Sequence, residues 1–411
     1  MLKKITIQQL RQGMYIQEFC ISWIAHPFWK QSFLVDTEAR YHSVKSSNVT
    51  ELIINTDKGV DVLAEREPKL APVKHSLEIA KPTPELIHKQ AVSMDMELEH
   101  ASRVVARSKQ AVMSMFHEVR MGNAANMESM QPLVEEITDS INRNAGALIG
   151  LARLKNKDEY TYMHSIAVCA LMIALAKQLN LSSDEIKEAG MAGLLHDIGK
   201  MTVPTKILNK PGKLTESEFE MVKQHPLAGY QLLLRAKAIS PVALDVCLHH
   251  HERFDGTGYP YRYAGDKISL MARMSAVCDV YDAVTSNRPY KKGWCPSESI
   301  HKMAEWSGKH FDDQIFQAFV RSIGIYPAGT LVMLETGRMG VVVEQNDVSL
   351  LLPMVRVFFS SKSMTYIVPV LLDLSQPGKQ DKIVSRELVS KWGFKNIDAY
   401  WLGEAGIKQE E

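Results

Sequence analysis

The 411-residue sequence is poor in cysteine, with five residues that form no Cys-x-x-Cys pair: Cys20, Cys169, Cys247, Cys278 and Cys295. This usage excludes a disulfide framework and a zinc ribbon, and it suits a reducing compartment. No apolar run approaches the roughly 18 residues that a membrane span needs. The first 19 residues carry charges where a signal peptide has a continuous apolar run. We therefore expect a cytoplasmic protein that does not enter a membrane.

The sequence also lacks a dominant charge, because its formal net charge is only +1. A balance of this kind predicts no strong attraction to nucleic acid or to an anionic membrane surface. Internal repeats and low-complexity tracts are absent as well. Any chemistry on phosphate groups must therefore come from a local site. The length leaves room for two or three domains.

Changes in residue pattern divide the chain into five regions. Short apolar runs between turn residues predict strands at the N-terminus, and four prolines in a polar stretch then indicate a linker. Helical periodicity follows, and strand-like runs return after Tyr326. The predicted regions are a β-rich module (1–66), a linker (67–84), connecting helices (85–139), a helical domain (140–325) and a small β extension with a tail (326–411).

Several helix boundaries can be read from the sequence of the helical regions. Ser182 and Thr215 each precede a glutamate by three residues, which is the pattern of a capping box. Pro132, Pro241 and Pro296 suit the first turn of a helix. Two glycine positions predict helix ends: Gly122, after a helix over 85–120, and Gly199, after a helix that begins at Ser183.

The helical domain concentrates residues that bind transition metals. The stretch HHHERFDGTGYP (249–260) holds three consecutive histidines, too deep in the chain to be a tag. Imidazole and carboxylate groups of this kind bind Fe, Mn, Zn or Ni. Asp279 lies in a helix whose other residues are almost all apolar, where an unpaired carboxylate would cost several kcal/mol. The candidate ligands are His164, His196, Asp197, His225, His249, His250, His251 and Asp279.

Each candidate ligand also has a purely structural interpretation. One buried histidine is more often a hydrogen-bonded core residue than a ligand, and a lone aspartate near a helix end is usually a cap. The joint occurrence of a His-Asp pair, a histidine run and an isolated aspartate in one helical block favours a metal site. Asp282, one turn after Asp279, is placed to support it or to orient a ligand imidazole.

Two motifs in this block closely resemble those of the HD-GYP subfamily of HD-domain metal-dependent phosphohydrolases. They are LLHDIGK (194–200) and HHERFDGTGYP (250–260), with supporting matches in YTYMHS (160–165), CDVYDAVTSNRPYK (278–291) and GKHFD (308–312). The resemblance covers about residues 140–325. The N-terminal region resembles a β-rich module of unresolved role that is commonly fused in front of such domains, and the C-terminal region is similar to a small β extension seen in the family.

The resemblance implies a multidomain, mainly α fold: a helical HD-type bundle between the β-rich module and the small β extension. It also implies a centre of two or three divalent ions, Fe or Mn first, with Ni or Zn compatible. Asp197 would bridge two ions, and His249 would be the extra member of the histidine run. Since Tyr160 stands where three-metal members carry a glutamate, we expect two ions. The implied ligands are His164, His196, Asp197, His225, His250, His251 and Asp279.

The activity that the resemblance implies is hydrolysis of c-di-GMP to the linear dinucleotide, with slower cleavage to GMP. Asp197 and Lys200 would be catalytic, with Lys200 close to the attacking water and the phosphate. The implied substrate contacts are Arg288, Lys291, Tyr259 and Asp282. Two of these have simpler interpretations: the basic pair as a solvated loop, and Tyr259 as part of a structural turn.

Three other functions remain open at this point. The first is hydrolysis of the hybrid dinucleotide 3′,3′-cGAMP, which differs from c-di-GMP at one base edge. A non-catalytic cyclic dinucleotide receptor is the second, although the complete HD and GYP motifs weigh against it. An HD nucleotidase is the third, and it leaves the second motif unexplained. Residues 1–66 could contact a protein partner, and helix 85–120 could pair in a homodimer.

Overall fold

The computed structural model describes residues 2–19, 32–45, 51–60, 92–124, 126–155, 160–286, 293–346, 349–376 and 381–402. The chain divides into two compact units, Met1–Ile87 and His88–Glu411. The predicted fold class is confirmed, with strands near both ends and helices between them. The predicted linker lies outside the described residues, and the five predicted region boundaries stay predictions.

The first unit contains a four-stranded antiparallel sheet in the order β1-β4-β2-β3. Buried and half-buried side chains alternate along the strand Glu51–Asn55, and its Leu52 and Ile54 point into a small apolar core. The β-rich prediction is therefore confirmed for the described residues. The short helix α1 was not predicted, because its polar sequence has almost no apolar face. The elements are β1 (Leu2–Thr6), β2 (Tyr15–Phe19), β3 (Phe33–Leu34), α1 (Glu38–Lys45) and β4 (Glu51–Asn55).

The second unit begins with helices, in agreement with the predicted periodicity. They are α2 (Met94–Arg120), α3 (Gln131–Arg153), α4 (Tyr160–Gln178), α5 (Ser183–Leu195), α6 (Thr205–Leu208), α7 (Glu216–Val222), α8 (His225–Leu233), α9 (Pro241–His249), α10 (Leu270–Thr285), α11 (Pro296–Ala304) and α12 (Asp313–Ile323). Short 3₁₀ helices lie at Glu128–Met130, Ile198–Thr202 and Gly265–Lys267.

Helix α4 is the centre of the bundle. All of its side chains from Met163 to Ala176 are buried, and the helix packs against α3, α5, α10 and α12. By length and hydropathy alone α4 could cross a membrane, but 78% of that stretch is buried inside the protein. A helix that is apolar on every face must be covered on every face, and here neighbouring helices cover it.

Most of the predicted helix boundaries are confirmed. Ser182 and Thr215 both form complete capping boxes, and Pro132, Pro241 and Pro296 occupy first turns. Two boundaries were wrong. Helix α2 begins at Met94, after the N-cap Ser93, and not at residue 85. Helix α5 ends at Leu195, four residues before Gly199.

Gly199 has a packing role that its sequence context did not reveal. It lies within the 3₁₀ helix Ile198–Thr202, against the start of α8. A Cβ atom at this position would lie 1.9 Å from the carbonyl oxygen of His225 and 2.5 Å from the nitrogen of Gly229. Only glycine therefore allows the segment after α5 to approach α8 this closely.

Helix α3 is broken at Asn144, a feature that the sequence did not predict. Asn144 has φ −160° and ψ 103°, and its Oδ1 accepts a hydrogen bond from the Ala147 N–H at 3.4 Å. Its Nδ2 donates to the Val92 carbonyl at 3.1 Å and to Glu344 Oε1 at 2.5 Å. Asn144 thus caps the second half of α3 and connects it to the C-terminal sheet.

The predicted strands after Tyr326 form a five-stranded antiparallel sheet in the order β8-β7-β6-β5-β9. Gly337 has φ +82° and forms the predicted turn between β5 and β6. Trp401 is fully buried against Gly150 of α3, so this sheet and its last helix pack onto the bundle. The elements are β5 (Leu331–Leu334), β6 (Arg338–Glu344), β7 (Met354–Ser360), β8 (Thr365–Asp373), β9 (Ile383–Arg386), α13 (Val389–Trp392) and α14 (Ala399–Leu402).

Candidate metal centre

Five segments of the bundle bring the seven predicted ligands together. His164 lies in the first turns of α4 and Asp279 in the middle of α10, while the others lie at helix ends, where side chains are free of regular packing. All are buried except His251, which is half-buried. Two groups of ligand atoms are close enough to hold an ion: His164, His196 and Asp197; and Asp197, His225, His250 and His251.

Asp197 belongs to both groups, and each of its oxygens faces a different one. Its Oδ2 lies 3.3 Å from His164 Nε2 and 3.4 Å from His196 Nε2. Its Oδ1 lies 3.2 Å from His225 Nε2 and 3.7 Å from His250 Nε2. This position between the two groups is consistent with the bridging role that the resemblance implies, and that role stays a prediction.

Asp279 supplies the second carboxylate of the centre. Its Oδ1 lies 3.0 Å from His164 Nε2 and 3.9 Å from His196 Nε2, on the same side as Asp197 Oδ2. Its Oδ2 lies 3.8 Å from His251 Nδ1. The carboxylate predicted to need a cation is therefore directed at both groups of histidines.

Three of the imidazole rings are held by backbone carbonyls through Nδ1, and this leaves Nε2 directed at the carboxylates. His196 donates to the Gly193 carbonyl at 2.7 Å, His225 to the Val222 carbonyl at 2.7 Å, and His250 to the Cys247 carbonyl at 3.0 Å. Hydrogen bonding of one ring nitrogen fixes the tautomer and leaves the other nitrogen with a lone pair for a metal.

His164 is held differently, by a carboxylate that is itself paired. Its Nδ1 donates to Asp282 Oδ2 at 2.6 Å, and the same oxygen contacts the ammonium of Lys155. The Lys155 side chain is fully buried and also donates to Ser286 Oγ at 2.9 Å. Asp282 thus lies on the opposite side of the His164 ring from Asp197. These contacts support the predicted orienting role, while a contact between Asp282 and substrate stays a prediction.

The role of Lys155 was not predicted from the sequence. Its ammonium contacts Asp282, which is 127 positions away in the sequence, and no local pattern connects the two residues.

The atoms of the cluster fit a metal ion better than they fit one another. Among the described residues, His196 Nε2 and Asp197 Oδ1 are buried and have no hydrogen-bond partner. The Nε2 atoms of His225 and His250 lie only 3.2 Å apart, although both rings already donate through Nδ1. Buried lone pairs without donors are costly, and a cation would satisfy all of them at once.

The electrostatics of the cluster also suit metal binding. Burial and the neighbouring imidazoles lower the pKa of His251 to about 3 and hold that of His250 well below its usual value. Burial alone would raise the pKa of Asp197, yet the charges of Lys200 and His196 hold it well below the ordinary range. His250 and His251 are therefore neutral and Asp197 is ionised, which is the form that metals bind.

The pKa of His164 is raised, in contrast to the lowered pKa values of His250 and His251. Burial lowers it, but hydrogen bonds with Asp197, Asp279 and Asp282 outweigh burial and raise it to about 10. A proton on this ring offsets the negative charge of the buried carboxylates when no other cation does. A divalent ion would take over that role and release the proton.

The predicted catalytic and substrate residues are described in part. The Lys200 ammonium contacts Asp197 Oδ2 and is 22% exposed, so it can also reach a group that enters from solvent. The Tyr259 ring lies against His251, with 4.7 Å between ring centroids, and burial raises its pKa. Lys223, which the sequence analysis missed, lies 5.9 Å above the same ring. Arg288 and Lys291 lie outside the described residues.

The GYP turn is built around a buried glutamate. Glu252 accepts hydrogen bonds from the Tyr261 N–H at 2.7 Å and the Tyr263 N–H at 3.1 Å. A Cβ atom on Gly258 would lie 2.3 Å from the nitrogen of Arg253, so the turn needs glycine there. The Tyr259–Pro260 peptide bond is cis. The motif HHERFDGTGYP therefore folds back on itself beside the two ligand histidines.

Two neighbouring residues do not join the centre. His249 donates to Asp245 Oδ1 at 2.9 Å and stacks on Tyr263, so it is the extra histidine, as predicted. The Tyr160 ring is parallel to His164 at 5.8 Å and offers a phenol where a third ion would need a carboxylate. The two-ion prediction is consistent with this position and stays a prediction.

Comparisons with known proteins agree with this description. A family model for the HD domain matches residues 137–315, and a model for a domain of unknown function (DUF3391) matches residues 2–130. A cyclic di-GMP phosphodiesterase of Pseudomonas aeruginosa is 52% identical over 98% of this chain and 97% of its own length. The cyclic di-GMP phosphodiesterase response regulator RpfG of Xanthomonas campestris is 43% identical over 36% of this chain and 39% of its own length.

Two further proteins resemble the chain at lower identity. A 3′3′-cGAMP-specific phosphodiesterase of Vibrio cholerae is 38% identical over 40% of this chain and 38% of its own length. A solved structure of an HD-GYP-type protein from Bdellovibrio bacteriovorus is 18% identical, with a TM-score of 0.46 over 78% of this chain and 98% of that one. HD-domain phosphohydrolases depend on metal ions, in accord with the His/Asp cluster. With a relative that is 52% identical along nearly its whole length, the chain belongs to the HD-GYP family of HD-domain phosphohydrolases.

Proposed function

We propose that this chain is a metal-dependent phosphodiesterase that hydrolyses c-di-GMP to the linear dinucleotide, with slower cleavage on to GMP. The observation that carries the proposal is Asp197, a buried carboxylate whose two oxygens face two separate sets of imidazoles. An inert phosphodiester needs an activated water and neutralisation of developing charge at one place, and a two-ion centre meets both needs.

Two divalent ions would share the seven ligands through Asp197. His164, His196, Asp197 and Asp279 would hold one ion, and Asp197, His225, His250 and His251 the other. When bound, such ions supply Lewis acidity at the phosphate and lower the pKa of water. Iron or manganese is expected from the family resemblance, and nickel and zinc are compatible with the same nitrogen and oxygen ligands.

The chain's own residues would position and stabilise the reacting groups. Lys200 is partly exposed beside Asp197, so its ammonium can stabilise negative charge that develops on the phosphate. Asp282 holds the His164 ring, and the backbone carbonyls hold the rings of His196, His225 and His250. The half-buried Tyr259 would form one wall of the substrate pocket, and Arg288 and Lys291 would bind the phosphates.

The choice of c-di-GMP over 3′,3′-cGAMP rests on similarity across the whole chain. The relative that matches 98% of this chain is named a cyclic di-GMP phosphodiesterase, whereas the 3′3′-cGAMP-specific relative matches 40% of it. The two substrates differ at one base edge, so a few side chains around the pocket decide between them.

The test is hydrolysis of both dinucleotides by protein reconstituted anaerobically with Fe(II) or Mn(II), followed by chromatography of the products. We expect c-di-GMP to be cleaved faster, and an Asp197→Ala variant to be inactive. Faster cleavage of 3′,3′-cGAMP would reassign the substrate. Tight binding of a dinucleotide without cleavage under any metal would instead identify a receptor.

A further inference from the structure

A cavity lined in part by Asp282 lies in the same unit as the metal centre. It has a volume of about 540 Å³, is open to solvent on one side, and is lined by residues of α3, α4, α10, α12 and the end of β6. This volume falls in the range of small-molecule binding sites. The break in α3 at Asn144 shapes one wall, because the residues on both sides of the break line the cavity.

The lining carries four basic side chains, and two of them lack a counter-charge. Arg143 pairs with Glu97 at 2.7 Å, and Arg153 lies 3.6 Å from Asp398. Within the part of the chain that the structure describes, Lys177 and Arg321 form no ion pair. Burial lowers the pKa of Lys177, which reflects the cost of holding this ammonium without a partner. An anion in the cavity would remove that cost.

The carboxylates in the lining are already satisfied by the protein. Asp282 contacts Lys155 and His164, and Glu344 accepts a hydrogen bond from Asn144. Within the described residues, neither carboxylate forms an ion pair with the half-buried Lys177 or the exposed Arg321.

Among the described residues, the lining also contains a buried donor and a buried acceptor that form no hydrogen bond. The donor is Nη2 of Arg153, whose 3.6 Å distance to Asp398 Oδ1 is longer than a hydrogen bond. The acceptor is Oε1 of Gln345, whose own Nε2 donates to the Tyr326 carbonyl. Buried polar atoms in native proteins are almost always paired, by protein, water or ligand. A guanine base carries an acceptor, O6, and a donor, its N2 amino group, so it offers one partner to each of these atoms.

We propose that this cavity binds a nucleoside monophosphate, with its phosphate on Lys177 and Arg321 and its base edge on Arg153 and Gln345. The apolar side chains of Ile149 and Leu171 complete the lining and suit a base and a ribose. The site also reaches the metal centre indirectly. Asp282 forms part of its wall, and the same carboxylate holds the ring of His164 at 2.6 Å.

The experiment is hydrogen exchange with mass spectrometry on the full metal-loaded chain, with and without GMP. GMP is expected to slow exchange in the segments that line the cavity, 141–153 and 343–346. Orthophosphate alone is expected to leave them unchanged, because it offers no base edge. A double variant, Lys177→Gln with Arg321→Gln, is expected to lose this protection, with affinity lower by about tenfold for each cation removed.

The matched control removes the same two charges from the surface, through Arg103→Gln and Lys302→Gln, where each side chain pairs with a glutamate on its own helix. In this control variant, GMP should slow exchange in the cavity segments as it does in the wild type. The proposal is overturned if GMP slows exchange only in segments of the metal centre in the wild type. It is also overturned if GMP slows exchange in the cavity segments of the Lys177→Gln, Arg321→Gln variant as strongly as in the wild type. If the double variant fails to fold, the wild type and a Gln345→Leu variant decide the question. The Gln345→Leu variant should lose the protection that GMP gives to the wild type. None of these readouts depends on whether the chain hydrolyses c-di-GMP.

Discussion

The buried contact between Asp282, His164 and Lys155 allows a test that separates positioning of a metal ligand from simple stability. Asp282 and Lys155 are almost completely buried, with 3% and 0% of their side chains exposed. Replacing Asp282 by asparagine keeps the size of the side chain and an acceptor for His164, but removes the negative charge. Lys155 then becomes a buried cation that has lost this carboxylate.

We expect Asp282→Asn to lose stability and metal affinity for two different reasons. Removing one partner of a buried ion pair costs about 3–5 kcal/mol, because the other charge stays buried after losing its carboxylate. Loss of a residue that orients a metal ligand lowers metal affinity or activity by roughly 10–100-fold. The first effect depends on Lys155, and the second depends on His164.

A double variant, Asp282→Asn with Lys155→Met, distinguishes the two effects. Removing the cation as well should recover most of the unfolding free energy, because neither charge then remains buried. Metal affinity should stay low, since His164 still lacks its carboxylate. Urea unfolding followed by circular dichroism measures the first quantity, and competition with a chromophoric chelator for Mn(II) measures the second.

The reasoning would be refuted if Asp282→Asn bound Mn(II) as tightly as the wild type does. It would also be refuted if the double variant regained metal affinity together with stability, because Asp282 would then matter only for folding.

Three further outcomes follow from the packing and the charges. Removing bound metal by chelation should lower the unfolding free energy by roughly 2.7 kcal/mol, relative to protein at a free-ion concentration one hundred times Kd. Thermal unfolding with and without chelator measures this difference. Equal stability in the two samples would contradict metal binding by the folded protein. Gly199→Ala should cost about 1–3 kcal/mol and weaken metal binding, because its Cβ would collide with the carbonyl of His225; unchanged urea unfolding would contradict this. Burial alone would raise the pKa of Asp381, but hydrogen bonds from Thr336 and Arg338 hold this pKa below its ordinary value. The ionised Asp381 therefore contributes to stability above about pH 4, and this contribution is lost as pH falls through the folded pKa. Asp381→Asn should therefore lose less stability than the wild type between neutral and acid pH, in urea unfolding at several pH values.

The ligand residues were accessible from sequence because local rules place them. His196 and Asp197 follow an apolar helix, His225 precedes a proline, and His250 follows another helix, so each lies where a helix begins or ends. Asp279 stands out because a carboxylate among apolar neighbours requires a cation. The expectation that these residues meet came from the resemblance to a family, since spacing alone does not assemble five segments.

Other features depended on contacts between distant parts of the chain. Lys155 forms a buried ion pair with Asp282, which is far away in the sequence. The break at Asn144 is stabilised partly by a hydrogen bond to Glu344, 200 positions away. Gly199 follows a helix in sequence, which suggested a helix end, but its small size is required by the approach of α8. Tertiary packing thus decided each of these positions, and single-sequence patterns do not contain it.

The claim that Asp197 bridges two ions in a hydrolytic centre is tested most directly by following metal content and c-di-GMP hydrolysis in the same samples. Mn(II) would be added stepwise to metal-free protein under anaerobic conditions, and bound ions would be counted by mass spectrometry. The account predicts that hydrolysis rises only as the second ion binds, and that Asp197→Ala neither holds two ions nor cleaves the substrate. Full activity with one ion per chain, or two bound ions without any cleavage, would contradict it.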